Sequence, residues 1–399
     1  MSRRELLDVV VVGAGVVGAA AALAFARDGL EVALVETREP PRWNAERPDL
    51  RVYAFAPDNA ALLNDLGVWS SVREARLQPY RAMRVWDAAA GGELHFDADA
   101  FGRRELGWIV EHALLVDKLW AALPAAGVQL HCPDQVESLE LDAPDSVGVI
   151  LEGGRRLRAR LVVAADGAES KLRRLSGIDA PTHDYAQRGL VAYVDSELSH
   201  EATCWQRFLP GGPLAFLPTL GDAGARDRRS SIVWTVPEAE AERLLASDDA
   251  SFLIELERAF AGRLGALTRV SQRAAFPLRR QLAQRYVSGR VVVAGDAAHV
   301  VHPLAGQGVN LGLRDIAALR GSLKQAHQRG LDPGSPTRLA RWARERRSEN
   351  ALAAYGFEGL NWVFSNDDVA ATLLRGPMLG LASKLPPLTH YFWKRAAGL

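Results

Sequence analysis

Residues Gly13-Ala14-Gly15-Val16-Val17-Gly18 have the spacing of a turn that cradles phosphate. The first glycine of such a turn permits a tight bend, the second lets a pyrophosphate approach the backbone, and the third packs a helix closely on a strand. The helix that follows offers free amides and a positive dipole end to the phosphates. Glu36, with Thr37 beside it, stands about 20 residues on, where an acid that binds a ribose hydroxyl belongs. A carboxylate there favours an unphosphorylated ribose. The motif specifies a dinucleotide, without choosing which.

Two further clusters combine glycine with an acid. Ala164-Ala165-Asp166-Gly167-Ala168-Glu169-Ser170 ends one apolar run, and Gly295-Asp296-Ala297-Ala298-His299 ends another. The second leads into His302-Pro303-Leu304-Ala305-Gly306-Gln307-Gly308-Val309-Asn310. An acid at a strand end can accept from a ribose or ribitol hydroxyl. A glycine-rich turn into a helix directs amides at a ring edge where reduction places negative charge. A lone Asp-Gly is usually only a turn. Three strand-end glycine motifs in this order point to FAD rather than NAD. His299 and His302 flank the last turn. Either suits a proton relay, or His299 caps the loop and His302 sets its geometry.

These motifs need strands that end together. Val9–Val12 is a continuous β-branched run, read as a strand buried on both faces. Val16–Ala26 is the longest apolar stretch and reads as a buried helix, and Glu31–Glu36 as the next strand. This βαβ unit begins a parallel sheet. Leu157–Ala165 and Arg290–Ala294 carry the other two acid-glycine turns. Further strands are expected at Met83–Asp87, Glu93–Phe96, Val128–Leu130 and Val136–Leu141, with a helix over Leu114–Ala126. Leu190–Val194, Thr203–Leu209, Leu214–Leu217 and Ser231–Trp234 alternate with turns, which predicts a separate antiparallel sheet. A helix is expected near Gly306–Gln325, and the chain from Pro336 on reads as mostly helical.

The expected fold is therefore α/β with an α+β insert: a Rossmann-like FAD-binding domain and a second, antiparallel-sheet substrate domain. The first would comprise residues 1–75, 105–180 and 280–325. The second would comprise residues 76–104 and 181–279, and residues 326–399 would form a C-terminal helical region.

Composition narrows the classes. The 399 residues, 48% of them hydrophobic, suffice for two domains and a large core. Lys plus Arg and Asp plus Glu each number 48, so nothing electrostatic favours nucleic acid. Cys132 and Cys204 form no CxxC and no metal cluster, so no metal is expected and a reducing cytoplasm suits the chain. The N-terminus lacks the features of a signal peptide, and no run reaches the ~20 apolar residues of a membrane span. Membrane contact is expected only as peripheral attachment, to the inner membrane. The Arg-rich stretch Arg338–Arg347 is interleaved with Glu345 and reads as a solvated helix face.

Together the three glycine motifs resemble those of the flavoprotein aromatic hydroxylases, the group typified by para-hydroxybenzoate hydroxylase. Arg51-Val52-Tyr53-Ala54, Leu66-Gly67-Val68-Trp69, Val85-Trp86-Asp87, Phe96-Asp97-Ala98, Ile109-Val110-Glu111, Gly212–Pro218, Gly295–Arg314 and Arg395–Leu399 are similar to the ubiquinone-biosynthesis hydroxylases. The resemblance covers nearly the whole chain.

It implies FAD as cofactor, NADH or NADPH as reductant, and dioxygen and a lipid-tailed phenol as substrates. It also implies association with the membrane or with a ubiquinone-biosynthesis complex. The FAD-binding set would be Gly13, Ala14, Gly15, Val17, Gly18, Glu36, Thr37, Arg51, Asp166, Gly167, Gly295, Asp296, Pro303, Gly306, Gln307, Gly308, Val309 and Asn310. The candidate catalytic set is Arg51, His299 and Pro303. In this group the Asp166-Gly167 segment is also linked to the nicotinamide cofactor, for which no second Rossmann fingerprint exists. Two departures stand out: His112 where Asn is usual, and Phe55–Asn59 without the usual serines. Leu214–Leu217 and Trp205 are expected either to line a greasy channel or to form sheet core.

A hydroxylase or halogenase of another phenolic metabolite is the alternative enzyme, although the Trp-x-Trp-x-Ile stretch of the halogenases is absent. A non-catalytic flavoprotein subunit is the alternative from another class.

Overall fold

A computed structural model of the chain describes residues 6–88, 93–221, 227–301 and 308–365. Leu6–Val12 forms the centre of the first sheet, with Val9, Val10 and Val11 fully buried, as a β-branched run covered on both faces should be. It pairs in parallel with Val32–Val35 on one side and with Arg156–Ala164 on the other. Val291–Val293 pairs in parallel on the far side of Arg156–Ala164.

The register has a direct consequence for the site. Val12 lies opposite Ala164, and Ala164 lies opposite Val293. Three neighbouring strands thus run in one direction and stop at one level, so all three glycine motifs leave the sheet along the same carboxyl edge. Ligands of open α/β sheets bind at such an edge.

The helix Val16–Arg27 packs on this sheet through a face of alanines that are almost wholly buried. The helices His112–Ala122 and Gly308–Gln328 pack against it in turn. The expected helix over Leu114–Ala126 begins two residues earlier and gives way to a short 3₁₀ turn at Pro124–Ala126. The missing amide and fixed backbone of Pro124 account for the change.

Among the described residues the second sheet has nine strands. Its main path runs His299–Val300, Ala274–Leu282, Thr182–Ser196, Arg229–Pro237, Gly212–Thr219, Thr203–Leu209, Ala82–Asp87 and Glu93–Asp97. All neighbours on this path are antiparallel except Thr203–Leu209 against Ala82–Asp87, which are parallel. The helices Glu238–Ala246 and Asp249–Phe260 cover one face, burying Leu190, Phe216, Ile232, Trp234 and Phe252. The other face looks toward the carboxyl edge of the first sheet. A three-stranded sheet, Val52–Phe55, Gly107–Glu111 and Gln78–Tyr80, lies alongside.

Ala274–Leu282 escapes a pattern reading because Pro277 interrupts it, and proline normally argues against an inner strand. Here Pro277 lies opposite Arg188 near the edge of the sheet.

Candidate active site

A cavity of about 930 Å³ separates the carboxyl edge of the first sheet from the open face of the second. Gly13, Gly15, Val17, Glu36, Thr37, Arg51, Asp166, Gly167, Asp296, Gly308 and Val309 all line it. The three motifs therefore converge on one space, although Gly15 and Asp296 are 281 positions apart in sequence.

The glycines of the first motif do different work. Gly13 has φ +92°, and a Cβ there would lie 2.4 Å from the Ala165 carbonyl oxygen. A Cβ on Gly18 would lie 1.8 Å from the Gly13 carbonyl oxygen. Both are packing requirements of the strand–turn–helix unit. A Cβ on Gly15 would meet nothing within 4 Å, so the space over Gly15 is open. Gly15 is also the N-cap of Val16–Arg27, with no side chain bonded to the first amides. An open cradle over uncapped amides is what a diphosphate requires. The donor set therefore fits the dinucleotide.

Glu36 is fixed at the end of its strand. One carboxylate oxygen accepts from the Ala14 amide at 2.7 Å, and the other from the Thr37 amide and hydroxyl at 2.7 and 2.8 Å. A carboxylate has about four lone-pair sites, so capacity for a ribose hydroxyl remains. Ala14 and Gly18 do not line the cavity. Ala14 is buried, and its carbonyl accepts from Trp120 Nε1.

Asp166 lines the cavity, but its carboxylate is engaged inward. It accepts from Ser170 Oγ at 2.5 Å and from the Leu172 amide at 3.1 Å, which stiffens the turn at Gly167. Arg173 donates to the carbonyls of Ala168 and Ala297, both at 2.9 Å. It thereby ties the two acid-glycine turns together, a role that nothing in its local sequence announces. Asp296 faces Arg51 at 4.0 Å, with both side chains about half exposed at the cavity.

His299 does not stand in the cavity. It is buried, with Nε2 2.6 Å from Asp315 Oδ2, at a point where both side chains are wholly enclosed. Asp315 Oδ2 also accepts from the Gly295 amide, and Oδ1 accepts from Arg346 Nε at 2.9 Å and Asn350 Nδ2 at 2.8 Å. Burial alone would raise the Asp315 carboxyl. His299, Arg346 and Asn350 together hold it below its ordinary value. Of the two readings of His299, its place suits the structural one: with Asp315 it braces the Gly295-Asp296 turn from behind. Gly295 belongs to that brace rather than to the cavity wall. Part of the Arg-rich stretch is likewise not solvated: Arg341 is exposed, but Arg346 turns inward.

Asn310 is also structural in its side chain. It accepts from the Ala56 amide and Asn59 Nδ2 and donates to the Ala54 carbonyl, clamping Gly308–Gln328 to the segment after Val52–Phe55. Pro303, Gly306 and Gln307, with His302, lie outside the described residues.

His112 lines the cavity at the first position of its helix. Its Nδ1 is 2.9 Å from the Tyr53 hydroxyl. Burial, reinforced by the charge of Arg51, pushes the imidazole down to about 4, against the opposing pull of Asp49 and Asp296. Burial pushes the Tyr53 hydroxyl well above its ordinary value. At neutral pH a neutral phenol therefore donates to a neutral imidazole, leaving the ring hydrogen on Nε2. The guanidinium of Arg51 lies over the Tyr53 ring, 5.4 Å from its centroid.

The opposite wall is the second sheet. Met83, Ala215, Leu217, Val191, Val233, Ala274, Phe276 and Leu278 line it. Strand alternation sends Leu214 and Phe216 to the helix-covered core and Ala215 and Leu217 to the cavity. Of the two expectations for Leu214–Leu217, each is met by alternate residues. Trp205 borders the cavity while packing edge-on against Trp86.

A parallel sheet with a diphosphate cradle, facing an apolar sheet across one cavity, defines the class as a two-sheet flavoprotein. The FAD-binding domain family matches residues 6–352. The ubiquinone hydroxylase UbiL of Rhodospirillum rubrum is 38% identical, over 100% of this chain and 91% of its own length. The 3-demethoxyubiquinol 3-hydroxylase of Escherichia coli is 35% identical over 98% of each chain. The human mitochondrial ubiquinone biosynthesis monooxygenase COQ6 is 31% identical over 97% of this chain and 92% of its own. Among solved structures, p-nitrophenol 4-monooxygenase PnpA from Pseudomonas putida shares the fold with a TM-score of 0.77, at 20% identity over 98% of each chain.

The chain belongs to the ubiquinone-biosynthesis FAD-dependent hydroxylases, which are flavoprotein aromatic-ring monooxygenases. Among the described residues, no helix is long and apolar enough to cross a membrane.

Proposed function

We propose that this chain uses NADH or NADPH and dioxygen to hydroxylate the aromatic ring of a polyprenylated phenol on the route to ubiquinone. The observation that carries the reading is the two-walled cavity. One wall offers backbone amides and acids to a dinucleotide, and the other offers aliphatic and aromatic surface to a hydrophobic ring.

In this reading Gly13, Gly15, Glu36 and Thr37 hold the adenosine diphosphate half of FAD. Arg51 lies beside the flavin, Asp296 holds the ribityl segment, and Gly308 and Val309, which line the cavity, approach the ring system. The dinucleotide domain is then assembled from residues 1–75, 105–180 and 280–325, and the substrate domain from residues 76–104 and 181–279. When bound, FAD accepts hydride from the reduced nicotinamide and activates dioxygen. The chain's own contribution is to position the phenol ring, exclude water with the aliphatic wall, and keep charge fixed around the cofactor. Phe276 is partly exposed and also lines the cavity, which suits an exit for the apolar tail toward a peripheral membrane surface.

The test is turnover of the FAD-loaded protein with reduced nicotinamide and a short-chain prenylated phenol. Hydroxylated product in proportion to nicotinamide consumed supports the reading. Nicotinamide consumption that yields hydrogen peroxide and no hydroxylated ring rejects it.

A further inference from the structure

Resting on that reading, we infer that the Gln206 side-chain amide recognises the substrate's phenolic hydroxyl and an adjacent ring oxygen. This makes Gln206 a specificity-determining residue of the sheet wall.

The strand Thr203–Leu209 alternates its side chains between two environments. Trp205 belongs to the core under the helices, while Cys204 packs with Ala54 and Leu217 on the cavity side. Gln206 shares the face of Cys204 and lines the cavity, half-buried.

Register defines its neighbours. Gln206 lies opposite Val85 on one side and Ala215 on the other. The row continues through Val233, Val191 and Ala274. Every other member of this row is aliphatic, so none can bond to the amide through its side chain. Met83, Cys204 and Leu217 form the next row. The Cys204 thiol is raised far above its ordinary value by complete burial, so it stays neutral and a poor partner.

Among the described residues the Gln206 amide has no hydrogen bond. By contrast, Gln187 donates to the Gly211 carbonyl, and Gln135, also at the cavity, bonds to Glu152. The amide is open to the cavity and is not among the buried polar atoms lacking a partner, so its donor and acceptor stay available to a ligand there. A primary amide offers an acceptor and a donor side by side. A phenol O–H donates to Oε1, while Nε2 donates to a neighbouring methoxy or hydroxyl oxygen on the ring. The class of substrate is thus an ortho-oxygenated phenol with an apolar tail. The surrounding aliphatic row discriminates little among ring substituents, so within this row orientation rests on Gln206.

The experiment compares binding of two ligands to FAD-loaded protein, followed by perturbation of the flavin absorbance. One ligand is a short-chain prenylated 2-methoxyphenol; the other is the same molecule without the hydroxyl. Wild type is expected to prefer the phenol about tenfold. Gln206→Met, nearly equal in volume, is expected to bind the deoxy ligand as well as wild type does and to show no preference for the phenol. Its flavin content and melting temperature should match wild type, which separates recognition from folding. A Gln206→Met protein that keeps the wild-type preference overturns the assignment of Gln206 alone. A wild type that binds neither ligand overturns the functional reading, and this inference with it.

Discussion

The two walls of the cavity bind by different means. The wall at the carboxyl edge is made of turns: glycine backbone, helix-end amides, and acids fixed by their own hydrogen bonds. The sheet wall is made of side chains from strands spread from Ala82 to Leu282. The first suits a ligand whose phosphates and sugars never vary. The second suits a ligand whose apolar shape can change with one or two substitutions. Rigidity follows the same division. The Gly295-Asp296 turn is held from behind by Asp315, His299, Arg346 and Asn350, whereas the sheet wall rests on apolar, aromatic-rich packing over two helices.

The sharpest way to break this contrast is to remove the brace. Asp315→Ala would leave Arg346 and His299 buried without their acid, at a cost of about 3–5 kcal/mol. Urea unfolding of the purified protein reads the loss directly. A cost below about 1 kcal/mol would mean that the turn holds itself without the buried charges.

The next effect is a pH dependence on the dinucleotide side. The folded imidazole of His112 sits at about 4, below its unfolded value of 6.5. Below pH 6.5 the unfolded chain therefore binds the proton more readily than the folded one. Stability falls as pH drops from 6.5 toward 4, by up to about 2 kcal/mol at pH 5. His112→Asn should remove that component of the pH profile. Equal acid sensitivity in the two proteins would show that His112 does not carry it.

A smaller effect is expected on the opposite wall. Ala215→Phe projects a ring into the cavity beside Gln206, and should weaken phenol binding about tenfold, or ~1.4 kcal/mol, with FAD affinity unchanged. Parallel loss of both ligands would show that the two walls are not separable.

The same division explains what the sequence discloses. The three glycine motifs are local, each spelled in fewer than ten residues, and the runs before them are rich in β-branched residues, as buried strands are. Their convergence became visible only in the pairing of Val12 with Ala164 and of Ala164 with Val293. The brace was hidden because its members lie on separate elements, and because Arg346 shares a helix with exposed arginines. The strand Ala274–Leu282 was masked by Pro277. The sheet wall was legible only in part: Leu214–Leu217 could be read as lining or core, but which residue does which, and what a residue such as Gln206 faces, follow from register with Val85 and Ala215. The choice between the two readings of His299 stayed open in the sequence because its neighbours lie at the cavity while its own side chain does not.

Central to the account is that the open space over Gly15 is reserved for the dinucleotide and serves no internal contact. Gly15→Ala isolates that claim, because the added methyl meets no protein atom within 4 Å. FAD affinity, measured by titration of the flavin-free protein, should fall at least about tenfold. The unfolding free energy of the flavin-free protein should stay within about 1 kcal/mol of wild type. Wild-type FAD affinity in the Gly15→Ala protein would contradict the account.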